Sequence, residues 1–277
     1  MLIDTHAHLD FYDDPLPLLA AAREAGLSAI LAIGIGQGPA TMQRALEIAE
    51  ANDSPELRLF ASAGIHPSEA EHATPEALAK LAGLAAHPRI VAIGEIGLDY
   101  YHADNPSIDV QQAAFVAQMA IAARVQKPIL IHCRTSELAQ PAAKKRYGSA
   151  DAFADLIHLI REHWTPTGLP GVMHCFSGSP AEAKQALAAN FYLSFAGNVT
   201  YPKALGIQQA AAEVPADRFL VETDCPFLTP VPLRGQQNQP AYVAHTAAFV
   251  ASLRGISAGE VAARTTKNFH ELFPRTA

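Results

Sequence analysis

Six side chains of metal-binding type stand at the ends of short apolar runs: His6 and His8 in IDTHAHLD, Glu95 in VAIGEIGLDY, His132 in PILIHCR, His174 in GVMHCF and Asp224 in FLVETDCP. Imidazoles and carboxylates suit zinc, manganese or magnesium. A lone His-x-His pair is a weak signal, because any two strand residues two apart point the same way. Recurrence of a ligand at the same end of run after run points to a metal centre. Six ligands are too many for one catalytic ion with an open position, so the pattern predicts two divalent ions. His6, His8 and Asp224 are assigned to the first, His132 and His174 to the second, with Glu95 bridging. Two ions about 3.5–4 Å apart can hold a hydroxide between them and clamp both oxygens of a phosphoryl displacement. Asp224 is placed to accept the nucleophile's proton, so Glu95 and Asp224 are expected to be catalytic as well as ligating.

Neighbours extend this set. Asp4 lies two residues before His6, and Glu222 two before Asp224. Period-two alternation turns both inward, where each is expected to accept the free N–H of a ligating imidazole or to join an internal ion pair. Cys133, Cys175 and Cys225 each directly follow a ligand; the same alternation turns them towards the helices as packing groups rather than ligands. His66, ending ASAGIHP, is expected at the same mouth as a substrate contact, the alternative being a capped structural histidine. Arg134, two past His132, offers a fork matched to phosphate or forms a surface salt bridge. His72, His87, His158, His163 and His270 fall on helical or loop patterns and are expected at the surface.

Only a closed fold could gather these scattered groups. Strand-like runs at 2–8, 28–34, 58–65, 89–96, 128–133, 170–176, 190–195 and 218–224 alternate with helical patterns such as PEALAKLAGLAAH and PAEAKQALAAN. Short, mostly apolar runs are the mark of parallel strands covered on both faces. Thr74-Pro75 and Ser179-Pro180 read as helix starts, Gly26 and Asn190 as helix ends. Eight such units predict an α/β fold, the (β/α)8 TIM barrel, with additional C-terminal helices near 239–254 and 257–273. The rival, an open doubly wound sheet, needs no ring of ligands and in its nucleotide-binding form carries a Gly-rich turn where this chain has His-Ala-His. A length of 277 residues and the absence of a linker predict one domain, 1–277.

Net charge is −7, which disfavours wrapping long duplex nucleic acid without excluding a small anionic substrate. Three cysteines argue against a disulfide framework and for a reducing cytoplasm, and no apolar run is long enough to suggest a membrane span. A monomer is expected.

Taken together and in order, DTHAHLD, AGIHP, GEIGLDY, IHCR, HCFSGS and ETDCPFL resemble the TatD-type metal-dependent deoxyribonucleases, a branch of the amidohydrolase-like barrel hydrolases. The resemblance covers nearly the whole chain. It implies two divalent ions on the same six ligands, an additional active-site histidine at His66, and hydrolysis of phosphodiesters at DNA ends, often from the 3′ end. The segment RGQQNQP departs from the usual RGKRNEP: Arg234 remains as a substrate contact, while two basic residues become Gln236 and Gln237. Lys144, Lys145 and Arg146, in a longer segment after Arg134, are expected either to replace that rim charge or to be a solvated helix end. Two other readings stand beside the phosphodiesterase. One is an amide, ester or lactone hydrolase, including an aminoacyl-tRNA deacylase, on the same barrel; the other is a non-catalytic scaffold.

Overall fold

Eight parallel strands pair in chain order, β1 to β8, in the computed structural model, which describes residues 1–135 and 141–276. They are β1 (Leu2–Ala7), β2 (Leu27–Ala32), β3 (Arg58–Ala63), β4 (Ile90–Asp99), β5 (Ile129–Arg134), β6 (Gly171–Met173), β7 (Phe191–Phe195) and β8 (Phe219–Val221). The ring closes between β8 and β1 through a parallel bridge, Ala7 to Cys225. Around it, Asp224 N donates to His6 O at 2.9 Å and His8 N to Cys225 O at 2.9 Å. Side chains complete the seam: Asp4 accepts from the Thr223 amide (2.9 Å) and hydroxyl (2.6 Å). The fold is the expected (β/α)8 barrel.

Every strand is followed by at least one helix. These are α1 (Leu16–Glu24), α2 (Arg44–Asn52), α3 (Pro75–Ala85), α4 (Ile108–Val125), α5 (Pro141–Tyr147), α6 (Ala152–Leu159), α7 (Pro180–Ala188), α8 (Leu205–Glu213), α9 (Val243–Arg254) and α10 (Ala258–Leu272). Their starts follow from local chemistry. Thr74 accepts from Ala77 N at α3, and reciprocal Ser–Glu boxes open α7 (Ser179, Glu182) and α10 (Ser257, Glu260). Gly26 and Asn190 take left-handed conformations at helix ends, as their types allow.

Two apolar layers hold the barrel. One fills the space between strands and helices. The other takes residues from all eight strands, among them Ile3, Leu31, Phe60, Val91, Leu130 and Leu220, and is joined by Phe269, Leu272 and Phe273 from the C-terminal end of the chain. The lumen is therefore packed, and the opposite, C-terminal ends of the strands are left to carry the polar groups.

Two strands fall far short of the expected runs. β6 stops at Met173 and β8 at Val221, so His174 and Asp224 lie just beyond the ladder. Cys175 (φ 44°) and Asp224 (φ 56°) are left-handed there, a conformation no strand contains. β4 runs longer, to Asp99, and its Gly97 pairs with His132. A Cβ on Gly97 would lie 2.0 Å from the His132 carbonyl oxygen, so only glycine lets β5 approach here.

Candidate metal centre

Four ligand atoms converge from β1, β4 and the turn after β8. His6 Nε2 stands 3.3 Å from His8 Nε2, 3.4 Å from Glu95 Oε2 and 3.7 Å from Asp224 Oδ1. His8 Nε2 is 3.7 Å from Glu95 Oε2 and 3.3 Å from Asp224 Oδ1. Around a tetrahedral ion with ligand bonds of about 2.0–2.2 Å, neighbouring ligand atoms stand roughly 3.3–3.6 Å apart. Three of the five distances fall in that range and two, at 3.7 Å, lie just above it, so the cluster could hold one small divalent cation. All four side chains are buried, so their carboxylates and imidazoles need one another's charge, a proton or a cation between them.

The other oxygen of Glu95 faces a second group. Glu95 Oε1 lies 2.7 Å from His132 Nδ1, 2.8 Å from His174 Nε2 and 3.7 Å from His66 Nε2. The two shorter distances are hydrogen bonds rather than cage edges, so a cation here must displace protons and open these contacts by several tenths of an ångström. The three groups whose ligand atoms all lie close together on this side are His66, Glu95 and His132. His174 reaches Glu95 too, but its ring is stacked on His6 at 3.8 Å. His66 therefore stands nearer to the second group than its expected place as a substrate contact alone.

Carboxylates sit behind the second-group imidazoles. Asp99 Oδ2 lies 3.1 Å from His132 Nε2, and Glu222 Oε1 lies 3.2 Å from His174 Nδ1 while also accepting from Cys175 N at 2.5 Å. Each carboxylate accepts from one ring nitrogen, while the other nitrogen of the same ring donates to Glu95 Oε1. One expectation is corrected here. Asp4 does not support the His6 imidazole; it binds Thr223 and the His6 amide, because the register of β1 slips between Asp4 and Ala7 and breaks the assumed alternation. Glu222 does face an imidazole of the expected ligand set, that of His174. Among the described residues, the Nδ1 atoms of His6 and His8 are buried with no hydrogen-bond partner.

Charge follows this layout. Burial works against ionising Glu95, but His174, His132 and His6 outweigh it and hold the carboxyl well below its ordinary range. Asp224, buried against His8 and His174, is also held down. Burial disfavours protonated His132, yet Asp99 and Glu95 raise its pKa to about 9, and Glu95 and Glu222 raise His174 further. His66 is pushed down to about 3 by burial and by His132, and stays neutral. Its Nδ1 accepts from Ser68 N at 3.2 Å, so the neutral ring carries its proton on Nε2, facing the site.

At the rim, Arg134 lies over the Tyr101 ring, 3.6 Å from its centroid, with Nη1 3.3 Å from His102 Nε2. Arg234 lies over Tyr201 at 4.2 Å. Both are exposed, and among the described residues neither pairs with a carboxylate. Lys144, Lys145 and Arg146 are exposed on α5, whose Tyr147 hydroxyl donates to Asn105 O (3.0 Å) in the loop that carries His102. The cysteines stand in none of the ligand clusters among the described residues, and burial pushes all three thiols up, away from thiolate. His72, His87 and His158 pair with Glu69, Glu50 and Glu162 away from the centre.

Several contributors lie outside the set expected from the sequence. Asp99 was legible, since it stands in phase with Glu95 on β4. Gln111 and Gln118, buried two turns apart on α4, bracket the strand ends: Gln118 binds both backbone groups of Ile65, and Gln111 both of Asp99. Their signal was a polar i, i+7 pair on the core face of an apolar helix. Asn238, wholly buried, donates to Thr223 O (2.9 Å) and Phe227 O (2.5 Å), while its own carbonyl accepts from the Tyr12 hydroxyl (2.5 Å).

Comparison with known proteins places this geometry. The family model described as TatD related DNase matches residues 3–274. The chain is 39% identical over 276 residues to the metal-dependent hydrolase YabD of Bacillus subtilis, covering 99% of each chain. It is 35% identical over 269 residues to the 3′-5′ ssDNA/RNA exonuclease TatD of Erwinia tasmaniensis, covering 95% of each. Among solved structures, YjjV, a TatD homologue of Escherichia coli, superposes with a TM-score of 0.84 at 29% identity, covering 99% of this chain and 98% of that one.

Proposed function

The chain belongs to the TatD-related family of metal-dependent hydrolases, and from that premise we propose that it hydrolyses phosphodiester bonds at the ends of single-stranded nucleic acid. The observation that carries this reading is the division of Glu95, with Oε2 among His6, His8 and Asp224 and Oε1 among His132, His174 and His66. A carboxylate shared in this way suits two divalent ions, zinc, manganese or magnesium. When bound, such a pair supplies an activated water and positive charge for the phosphoryl oxygens.

This chain's own residues do the rest. His6, His8 and Asp224 would hold the first ion, His132 and His174 the second, and Glu95 would serve both. Asp224, ionised and beside the first cage, accepts the proton of the attacking water. Neutral His66 presents Nε2–H to a non-bridging oxygen, and Asp99 and Glu222 keep the second-group rings in one orientation. Arg134 and Arg234, propped on tyrosine rings, receive phosphates at the rim. The Erwinia relative's name supports a 3′ end and either DNA or RNA as substrate.

The test is release of mononucleotides from end-labelled single strands by metal-loaded protein, set beside a panel of esters and lactones. Cleavage from the 3′ end, reduced at least about a hundredfold in Glu95→Ala, is expected. Intact oligonucleotides together with turnover of esters or lactones would instead select the amide, ester or lactone hydrolase.

A further inference from the structure

The mouth of the barrel carries an aromatic corner that the metal chemistry does not use. Of the twelve phenylalanines in the chain, only Phe11 and Phe227 are exposed, at 37% and 49%. They come from the loops after β1 and β8 and meet at 6.0 Å with their planes 88° apart. Both touch the first ligand group: Phe11 lies against the His8 ring at 5.0 Å, and Phe227 at 6.1 Å.

The corner is fixed in place. Phe227 N donates to Asp224 O at 2.9 Å, and its carbonyl accepts from the Asn238 amide. Phe11 N donates to His8 O at 3.2 Å, and the next residue, Tyr12, is tied by its hydroxyl to Asn238 O. One buried asparagine thus fastens both loops. Leaving two large rings in water costs apolar burial, and rigid mounting removes the freedom that would let them fold away.

We propose that Phe11 and Phe227 form the stacking seat for the terminal base of the nucleic acid whose phosphodiester lies at the metal centre. This rests on the phosphodiesterase reading above and adds to it which end of the substrate lies where. A base is planar, uncharged and needs a ring face or edge, and two rings at right angles offer both. The loop that carries Phe11 is acidic, with Asp10, Asp13 and Asp14, so it repels a phosphate backbone and accepts an end. Of the rim cations, Arg134, Lys144, Lys145 and Arg146 belong to β5 and α5 and only Arg234 to the loop of Phe227, so the charged remainder of the strand leaves towards β5. Stacking is indifferent to base identity, and the seat therefore selects a terminus rather than a sequence.

The experiment is calorimetric titration of the metal-loaded full chain with deoxyadenosine 5′-monophosphate and, separately, 2-deoxyribose 5-phosphate. The wild type is expected to bind the nucleotide about tenfold more tightly than the sugar phosphate. Phe227→Ala and Phe227→Leu bring that ratio close to one, whereas Phe227→Trp, which restores a ring face, keeps it. A wild-type ratio of one, no binding of either ligand, or an unchanged ratio in Phe227→Ala overturns the stacking seat. Oligonucleotide cleavage separates the two claims. Strands cut with a ratio of one remove the seat alone, and an intact ratio with uncut strands removes the phosphodiesterase reading while the base seat stands.

Discussion

Glu95 and the imidazoles around it behave as a site in which protons hold the places of cations. His132, with its pKa raised to about 9 from 6.5, is charged at neutral pH because Asp99 and Glu95 flank it. A cation taking Nδ1 must displace that proton. Metal binding at pH 7 is therefore expected to release at least one proton, and apparent affinity to rise with pH up to about 9, by roughly tenfold per unit for each proton released. Titration in buffers of different ionisation heat measures this; zero release contradicts it. Stability has the matching sign. In metal-free protein the contribution of charged His132 is complete below about 6.5 and is lost as pH rises through about 9. Asp99→Asn loses the carboxylate behind His132 and is expected to weaken metal affinity or activity by about 10- to 100-fold with little change in fold. Equal metal binding by wild type and variant in a chelator competition would remove Asp99 from the site.

At the scale of elements, ligand placement depends on strand ends that depart from regular geometry. Gly97 allows β4 and β5 to close up beside His132, between Glu95 and Asp99. Gly97→Ala puts a methyl group against the His132 carbonyl and requires φ 143° of a residue with a Cβ. It is expected to cost more than about 1 kcal/mol and to impair metal loading, seen as a lower Tm and reduced bound metal. An unchanged Tm would show that β5 yields freely. The same irregularities mark the limit of what the sequence discloses. Apolar runs and capping residues revealed the eight strands, the helix starts at Thr74, Ser179 and Ser257, and the shared rim of the six ligands. Period-two reasoning failed where the backbone leaves the pleat: at Asp4, where β1 slips register, and at Cys175 and Asp224, which turn left-handed beyond their strands. Gln111, Gln118 and Asn238 act through the backbone of distant segments, and local pattern carries little trace of such pairings.

On the scale of the whole molecule, a chain of net charge −7 carries exposed Arg134 and Arg234 at the rim and a run of three cations on α5. Among the described residues no helix is long and apolar enough to cross a membrane. α5 presents Lys144, Lys145 and Arg146 to solvent and is tied through Tyr147 to the loop beside Arg134. We propose that this cluster meets the backbone of a bound strand. Replacing all three with glutamine is then expected to weaken binding of single strands and to flatten the dependence of log affinity on log salt by about 2. An unchanged slope would assign the cluster to solvent.

The most direct measurement is anomalous diffraction from crystals of the protein loaded with manganese or zinc. Two peaks are expected, one on the Oε2 side of Glu95 among His6, His8 and Asp224, the other on the Oε1 side among His132 and His174. A single peak, or peaks that leave the Glu95 carboxylate uncoordinated, contradicts a bridged pair of cations.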